Sequence, residues 1–210
     1  MRRIQALTCL LLACALSAMA QKTTSDTRRL RDGDLLFVVV EKENPITEVT
    51  RQGTAPAIDH VGIFHRHDGR PMVIEANTSG VVESSLQDFI HEGTYLLVGR
   101  VSKRPDLVQT LENAHRHLGK PYDFIYMPGD EAIYCSELVL LSFVDREGHP
   151  VFQPIPMSFH DEKGEVTPYW KDYYSRRALD VPEGKEGSNP GELSRRANVK
   201  IKYKFTRFAK

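Results

Sequence analysis

The chain has 210 residues, 28 basic and 28 acidic side chains, a formal net charge of zero and 40% hydrophobic residues. That balance gives no electrostatic footprint for nucleic acid, which needs a basic face. The length suffices for one hydrophobic core of ordinary size.

Arg2 and Arg3, the apolar run Ile4 to Leu16 and the small-residue pattern Ala18-Met19-Ala20 before Gln21 have the form of a secretory leader. The run is too short, and wrongly flanked, for a membrane span. Residues 1–20 are therefore expected to be a signal peptide and 21–210 a single domain, exported to the periplasm or beyond. An alternative reads Leu11-Leu12-Ala13-Cys14 as a lipoprotein cleavage box, leaving a lipid-anchored Cys14. Without the leader the chain carries 26 basic and 28 acidic residues, and of its three cysteines only Cys135 remains. A lone thiol forms no internal disulfide, so Cys135 is either buried, the commoner case, or used as a reactive group.

After the turn Asp32-Gly33, the run Asp34 to Val40 reads as a strand buried on both faces. Ile58 to Arg66 and Met72 to Asn77 flank His67-Asp68-Gly69-Arg70-Pro71 and predict a hairpin. Gly80 to Glu83 continues the sheet, Leu86 to His91 forms a short helical stretch, and Thr94 to Val101 is another strand. The period then changes: Leu107, Leu111, Ala114 and Leu118 recur at helical spacing until Gly119 and Pro121. A buried helix is expected from Ile133 to Val144, with Cys135 in its first turn. Thr167-Pro168 starts a further helix, with threonine as cap. Val181 to Pro190 reads as loop, and Val199 to Phe205 alternates as a half-buried strand whose lysines protect an edge. This order gives an α+β class.

A helix start and a neighbouring imidazole both favour a thiolate, and Cys135 has the first. Eight histidines compete to supply the second. His115 and His117, two apart on a helix, point to different faces, which argues against a metal pair there. His65 and His67 flank the hairpin turn and are expected to be solvated. His149 and His160 sit in polar loop sequence, and His91 lies near a helix end. His60 differs, because it lies inside the apolar strand Ile58 to Phe64, with Gly62 leaving room on its own face. A third group must orient such a ring, and the partner strand offers Glu75 and Asn77. A loop at His67-Asp68 puts Glu75 opposite His60, whereas a loop at Asp68-Gly69 puts Asn77 opposite and Glu75 on the diagonal. A carboxylate framed by Val73, Ile74 and Ala76 is costly to bury without a partner, so Glu75 is the first choice.

Gly119-Lys120-Pro121-Tyr122 followed by Tyr134-Cys135-Ser136-Glu137-Leu138-Val139 resembles the NlpC-type papain-fold hydrolases, whose Gly-x-Pro-Tyr segment precedes an Asp-Cys-Ser-Gly-Leu-Val helix start. Here the histidine precedes the cysteine, in Asp59-His60-Val61-Gly62-Ile63, with Val73-Ile74-Glu75-Ala76 between them. That order, with Gly33-Asp34-Leu35 before it and Asn189-Pro190-Gly191-Glu192-Leu193 after it, resembles the circularly permuted YiiX-like family. The resemblance implies an antiparallel sheet or barrel packed against a nucleophile-bearing helix, with Cys135 as nucleophile, His60 as base and Glu75 as orienter. It also implies Tyr122 near the oxyanion or substrate, with Tyr134 beside it. Glu137 stands where that pattern has glycine and is a candidate to select a basic substrate group. The implied chemistry is hydrolysis of amides in cell-wall-derived peptides or N-acyl amino compounds, calling for no cofactor or metal. The rival readings are a lipid-directed acyltransferase or phospholipase, whose Asn-Cys-Glu-His-Phe segment is absent, and a non-catalytic module binding an amine or peptide.

Overall fold

The computed structural model describes residues 23–206 apart from 103, 130 and 162. The expected leader, with Cys9 and Cys14, lies outside the described residues. Among the described residues nine strands and six α-helices follow in chain order: β1 (Thr23–Thr24), β2 (Leu35–Val39), α1 (Pro45–Thr50), β3 (Ile58–His67), β4 (Arg70–Asn77), β5 (Gly80–Ser85), α2 (Leu86–Phe89), β6 (Tyr95–Val101), α3 (Leu107–Arg116), α4 (Cys135–Ser142), β7 (Ile155–Pro156), α5 (Pro168–Ser175), β8 (Glu186–Gly187), α6 (Pro190–Arg195) and β9 (Val199–Phe205). A seven-stranded sheet runs in the order β1-β9-β6-β2-β3-β4-β5. It is antiparallel except for the two-residue parallel pair of β1 with β9. The mixed α+β class follows directly.

Strand β2 lies at the centre and is buried along its whole length, as its unbroken apolar run predicts. Leu35, Phe37 and Val39 join Ile63, Ile74, Leu138 and Val139 on the face covered by helices. Leu36 and Val38 join Phe64, Val73, Phe89 and Phe205 on the other. At the start of β2, Asp34 is buried, and Arg100 of β6 grips it with two bonds of 2.7 Å. Breaking such a pair leaves a buried charge unmatched, which is why the strand cannot slide in register.

Three expectations need correction. The helix at Cys135 begins and ends later and earlier than Ile133 to Val144, because Tyr134 already has the extended backbone of a capping residue. On α3 the buried positions are Thr110, Asn113 and Ala114, whereas Leu107 and Leu118 are exposed; Asn113 turns inward to donate to the Ser142 carbonyl at 3.0 Å. His65 is buried, not solvated, since alternation puts it on the same face as Ile63. The sequence reading also passed over α1, whose Asn44 cap accepts from Ile46 and Thr47, and the short β8 inside the expected loop.

The hairpin β3–β4 decides what meets what. Asp68 and Gly69 both have positive φ, 50° and 77°, as the tight hairpin turn with a left-handed pair requires, so His67 pairs with Arg70. The ladder runs from there to Ile63–Ile74 and no further. Beyond it Ile58 to Gly62 pairs only with β2, which leaves a gap beside Glu75. Gly62 is closely packed, and a Cβ on it would collide with Val73 and approach Phe89 to 2.8 Å. Gly62→Ala should therefore lower stability by about 2 kcal/mol through overpacking, read as a fall in the urea midpoint at unchanged slope.

Candidate active site

Helix α4 begins at Cys135 with no side chain capping its first turn, so its leading N–H groups face outward unclaimed by a cap. Its start is held from behind: Ser188 N donates to the Tyr134 hydroxyl at 3.0 Å, and the hydroxyls of Ser188 and Ser136 meet at 2.9 Å. α4 packs on β3 and β4, which brings Cys135 close enough to act on the charge of the His60 ring. Cys135 is 5% exposed, and it lines a cavity. Burial and access therefore coexist.

His60 Nε2 lies 2.7 Å from Glu75 Oε2. An imidazole has two nitrogens, so with Nε2 engaged by the carboxylate, Nδ1 is left for the sulfur. Glu75 is almost fully buried and is matched on both oxygens, because Ser84 donates a short hydrogen bond to Oε1 and Asn77 adds another. The Asp68–Gly69 loop is the one for which the extended register puts Glu75 on the diagonal, and although the ladder stops short of His60 it is Glu75 that holds the ring. Asn77 instead supports the carboxylate.

Burial opposes charge on His60, but the hydrogen bonds to Cys135 and Glu75, with the negative charge of Cys135 and Glu92, outweigh it and hold its pKa well above the usual imidazole range. Glu75 moves the other way: burial pushes its pKa up, but the bond to His60 and its charge pull it below the ordinary carboxylate value. Glu92, 3.5 Å from His60 Nε2, is pushed up to about 7 by burial and by the neighbouring carboxylates of Glu75 and Asp59, against the pull of His60. Nothing in the sequence pattern marked Glu92, which a short 3-10 turn after α2 brings in.

Two adjoining hollows share Ile46, Asp59, Tyr122, Tyr126 and Trp170 and form one cleft. Cys135 lines the narrower part, with Met157 and Phe159. His60 and Glu92 line the wider part, of about 660 Å³, beside Phe124, Tyr169 and Tyr173. Tyr122 reaches both parts, and burial together with nearby Cys135 and Tyr126 raises its pKa, so it remains a neutral phenol. Asp59, held by Asn44 at 2.7 Å, and the aromatic residues of α5 were not picked out from sequence. They arrive through loop and helix packing that no local motif encodes. Tyr134 and Glu137, expected near the substrate, line a different groove with Pro128, Leu140 and Phe152, and the structure does not bring them to the His60 ring. Among the described residues no helix is long and apolar enough to cross a membrane.

With that geometry in place, comparison with known proteins adds a lineage. The sequence model of the family described as permuted papain-like amidase enzyme, YaeF/YiiX, C92 family, matches residues 29–191. The chain is 30% identical over 115 residues to the uncharacterized protein YiiX of Escherichia coli K12, a match covering 51% of this chain and 54% of that protein. It therefore spans about half the length of that curated relative. The crystal structure of metalloprotein YiiX from Escherichia coli O157:H7 superposes with a TM-score of 0.66 at 22% identity, covering 81% of this chain and 94% of that one. At that identity the likeness speaks for the fold.

The charges around His60 predict a titration. Replacing Glu75 by Gln removes the partner that favours the imidazolium, so the ring should lose its proton at a pH lower by about one unit or more. Glu92→Gln should shift it in the same direction by less. Histidine proton signals followed against pH by NMR would read both, and an unchanged titration in Glu75→Gln would contradict the pairing.

Proposed function

The chain belongs to the permuted papain-like amidase family of YaeF/YiiX type, and from that premise we propose that it is a cysteine amidase or peptidase in which Cys135 is the nucleophile, His60 the base and Glu75 the group that orients the ring. The observation that carries this reading is the 2.7 Å bond from His60 Nε2 to Glu75, which leaves the other ring nitrogen for Cys135. The helix α4, packed on the sheet, then bears the nucleophile.

With the thiol proton already held on His60, the sulfur attacks the amide carbonyl. The carbonyl oxygen takes up negative charge, which the open N–H groups at the start of α4 stabilise, with the neutral phenol of Tyr122 as a further donor. His60 gives its proton to the departing amine, and a thioester remains on Cys135. Water, deprotonated by His60, attacks the thioester, and the carboxylate product leaves as the sulfur regains the proton.

The cleft has the size of a small-ligand site. Its aromatic wall suits the acyl side of a substrate, while Asp59 and Glu92 suit an amino group. Together with the expected leader, this favours extracytoplasmic N-acyl amino compounds or cell-wall-derived peptides. The description of the Escherichia coli structure as a metalloprotein does not bear on this centre in our reading. The ligand atoms of His60, Glu75 and Glu92 lie within 4.8 Å of one another, but Nε2 and both Glu75 oxygens are already satisfied by hydrogen bonds.

Cys135→Ala should abolish release of amine from a panel of N-acyl amino acids and muropeptides, while the melting temperature stays within a few degrees, since a thiol facing a cavity contributes little packing. Intact mass should show an acyl adduct on the wild type that hydroxylamine removes. In the same protein, iodoacetamide should alkylate Cys135 at pH 6 faster than a free thiol, an excess that His60→Ala removes. Hydrolysis retained in Cys135→Ala would end the proposal, and turnover of lipid esters alone would move the chain to the lipid-directed enzymes.

A further inference from the structure

Strand β3 carries a second inward histidine. His65 has a side chain only 4% exposed, and its Nε2 lies 2.8 Å from Glu83 Oε1 on β5. The contact is short but misaligned, and Nε2 makes no directed hydrogen bond with any group. From α3, His115 presents its ring edge to His65 at a centroid distance of 5.1 Å, and its Nε2 lies 3.6 Å from the same Glu83 oxygen. The tautomer of His115 follows from its other nitrogen. Nδ1 is 2.7 Å from the Leu111 carbonyl, which can only accept, so Nδ1 carries the hydrogen and Nε2 of the neutral ring offers a lone pair.

Three potential ligand atoms therefore converge within 4.8 Å of one another. His67 Nδ1 holds Glu83 from outside, 2.9 Å from Oε2 and 3.1 Å from Oε1. Burial lowers the pKa of His65, against the raising effect of Glu83 beside it. A buried nitrogen without a directed partner costs roughly 1–3 kcal/mol. Donors around one ion approach each other at about 3 Å without hydrogen bonding, because each lone pair points at the ion and not at its neighbour.

We propose that His65, Glu83 and His115 bind one divalent transition-metal ion of the zinc type, with water completing its coordination. Two imidazoles and one carboxylate favour zinc, cobalt or nickel over magnesium and calcium, which take oxygen ligands. The ion joins α3 to β3 and β5. It sits roughly 16 Å along β3 from His60, at strand spacing, and shares no residue with the Cys135 centre, so it stands or falls separately from the amidase reading.

The test strips the purified full chain with a chelator and titrates it with Zn(II) by calorimetry and with Co(II) by visible absorption. One ion per chain should bind and raise the melting temperature, with Co(II) ligand-field bands and no sulfur-to-metal charge-transfer band. His115→Ala and Glu83→Gln should each weaken binding by more than the roughly 10–100-fold that loss of an outer partner costs, and His67→Ala by about that amount. His65→Ala opens the core and could fail to fold, but His115 is 39% exposed, so its variant keeps the test decisive. Absence of stoichiometric binding would overturn the proposal. So would binding that survives both His115→Ala and Glu83→Gln and is lost in His60→Ala.

Discussion

A single hydrogen bond organises the cleft: Glu75 to His60, made where the β3–β4 ladder has ended. Glu75 is 1% exposed, and a carboxylate that deep is stable only with partners on its lone pairs. His60, Ser84 and Asn77 supply them from three strand positions. The ring is thereby fixed in orientation and tautomer, and its remaining nitrogen can face only one way. Gly62 lets β3 lie close against Val73 and Phe89, because any side chain there would meet them. Phe89 in turn backs the His60 ring at 5.5 Å, so the ring is held by a hydrogen bond at its edge and by packing at its side.

The sheet separates two kinds of polar cluster that share one strand. By alternation, His60, Gly62 and Phe64 belong to one face of β3, and Ile63, His65 and His67 to the other. The same rule applied to β5 sends Ser84 toward Glu75 and Glu83 toward His65. Adjacent residues on β5 thus serve opposite faces, and a register slip of one position would exchange them. The two-residue connection that pairs Asn77 with Gly80 and the Asp68–Gly69 turn that pairs His67 with Arg70 forbid such a slip.

The strand pattern and the positions of His60, Glu75 and Cys135 were legible in the sequence, because period and apolar framing are local signals. The choice between Glu75 and Asn77 was not, since it turns on which two residues form the hairpin loop. His65 shows how a local signal misleads. Proximity to a turn argued for solvent, but alternation with Ile63 prevails as long as the strand continues, and β3 continues to His67. Glu92, Asp59 and Trp170 carried no signal, because each reaches the cleft through packing between elements distant in sequence. Trp170, for example, is anchored by a 3.1 Å bond to the Pro45 carbonyl at the start of α1. The neutral overall charge likewise gave no hint that carboxylates cluster around one histidine.

That clustering has a consequence for the amidase reading. An amide at the position of Glu75 could orient the ring but would add no charge, whereas a carboxylate both orients it and favours its protonated form. Glu92, with a pKa near 7, adds a second negative charge as the pH rises through neutrality. The ring is therefore held positive more firmly on the alkaline side, where an isolated imidazole would already have lost its proton. The charge that favours the protonated ring also makes His60 a weaker acid toward the leaving amine. A substrate amine lying against Glu92 would offset that charge, and the ring could then release its proton. In the proposed amidase, Glu92 thus ties the charge on His60 to the occupant of the wide part of the cleft.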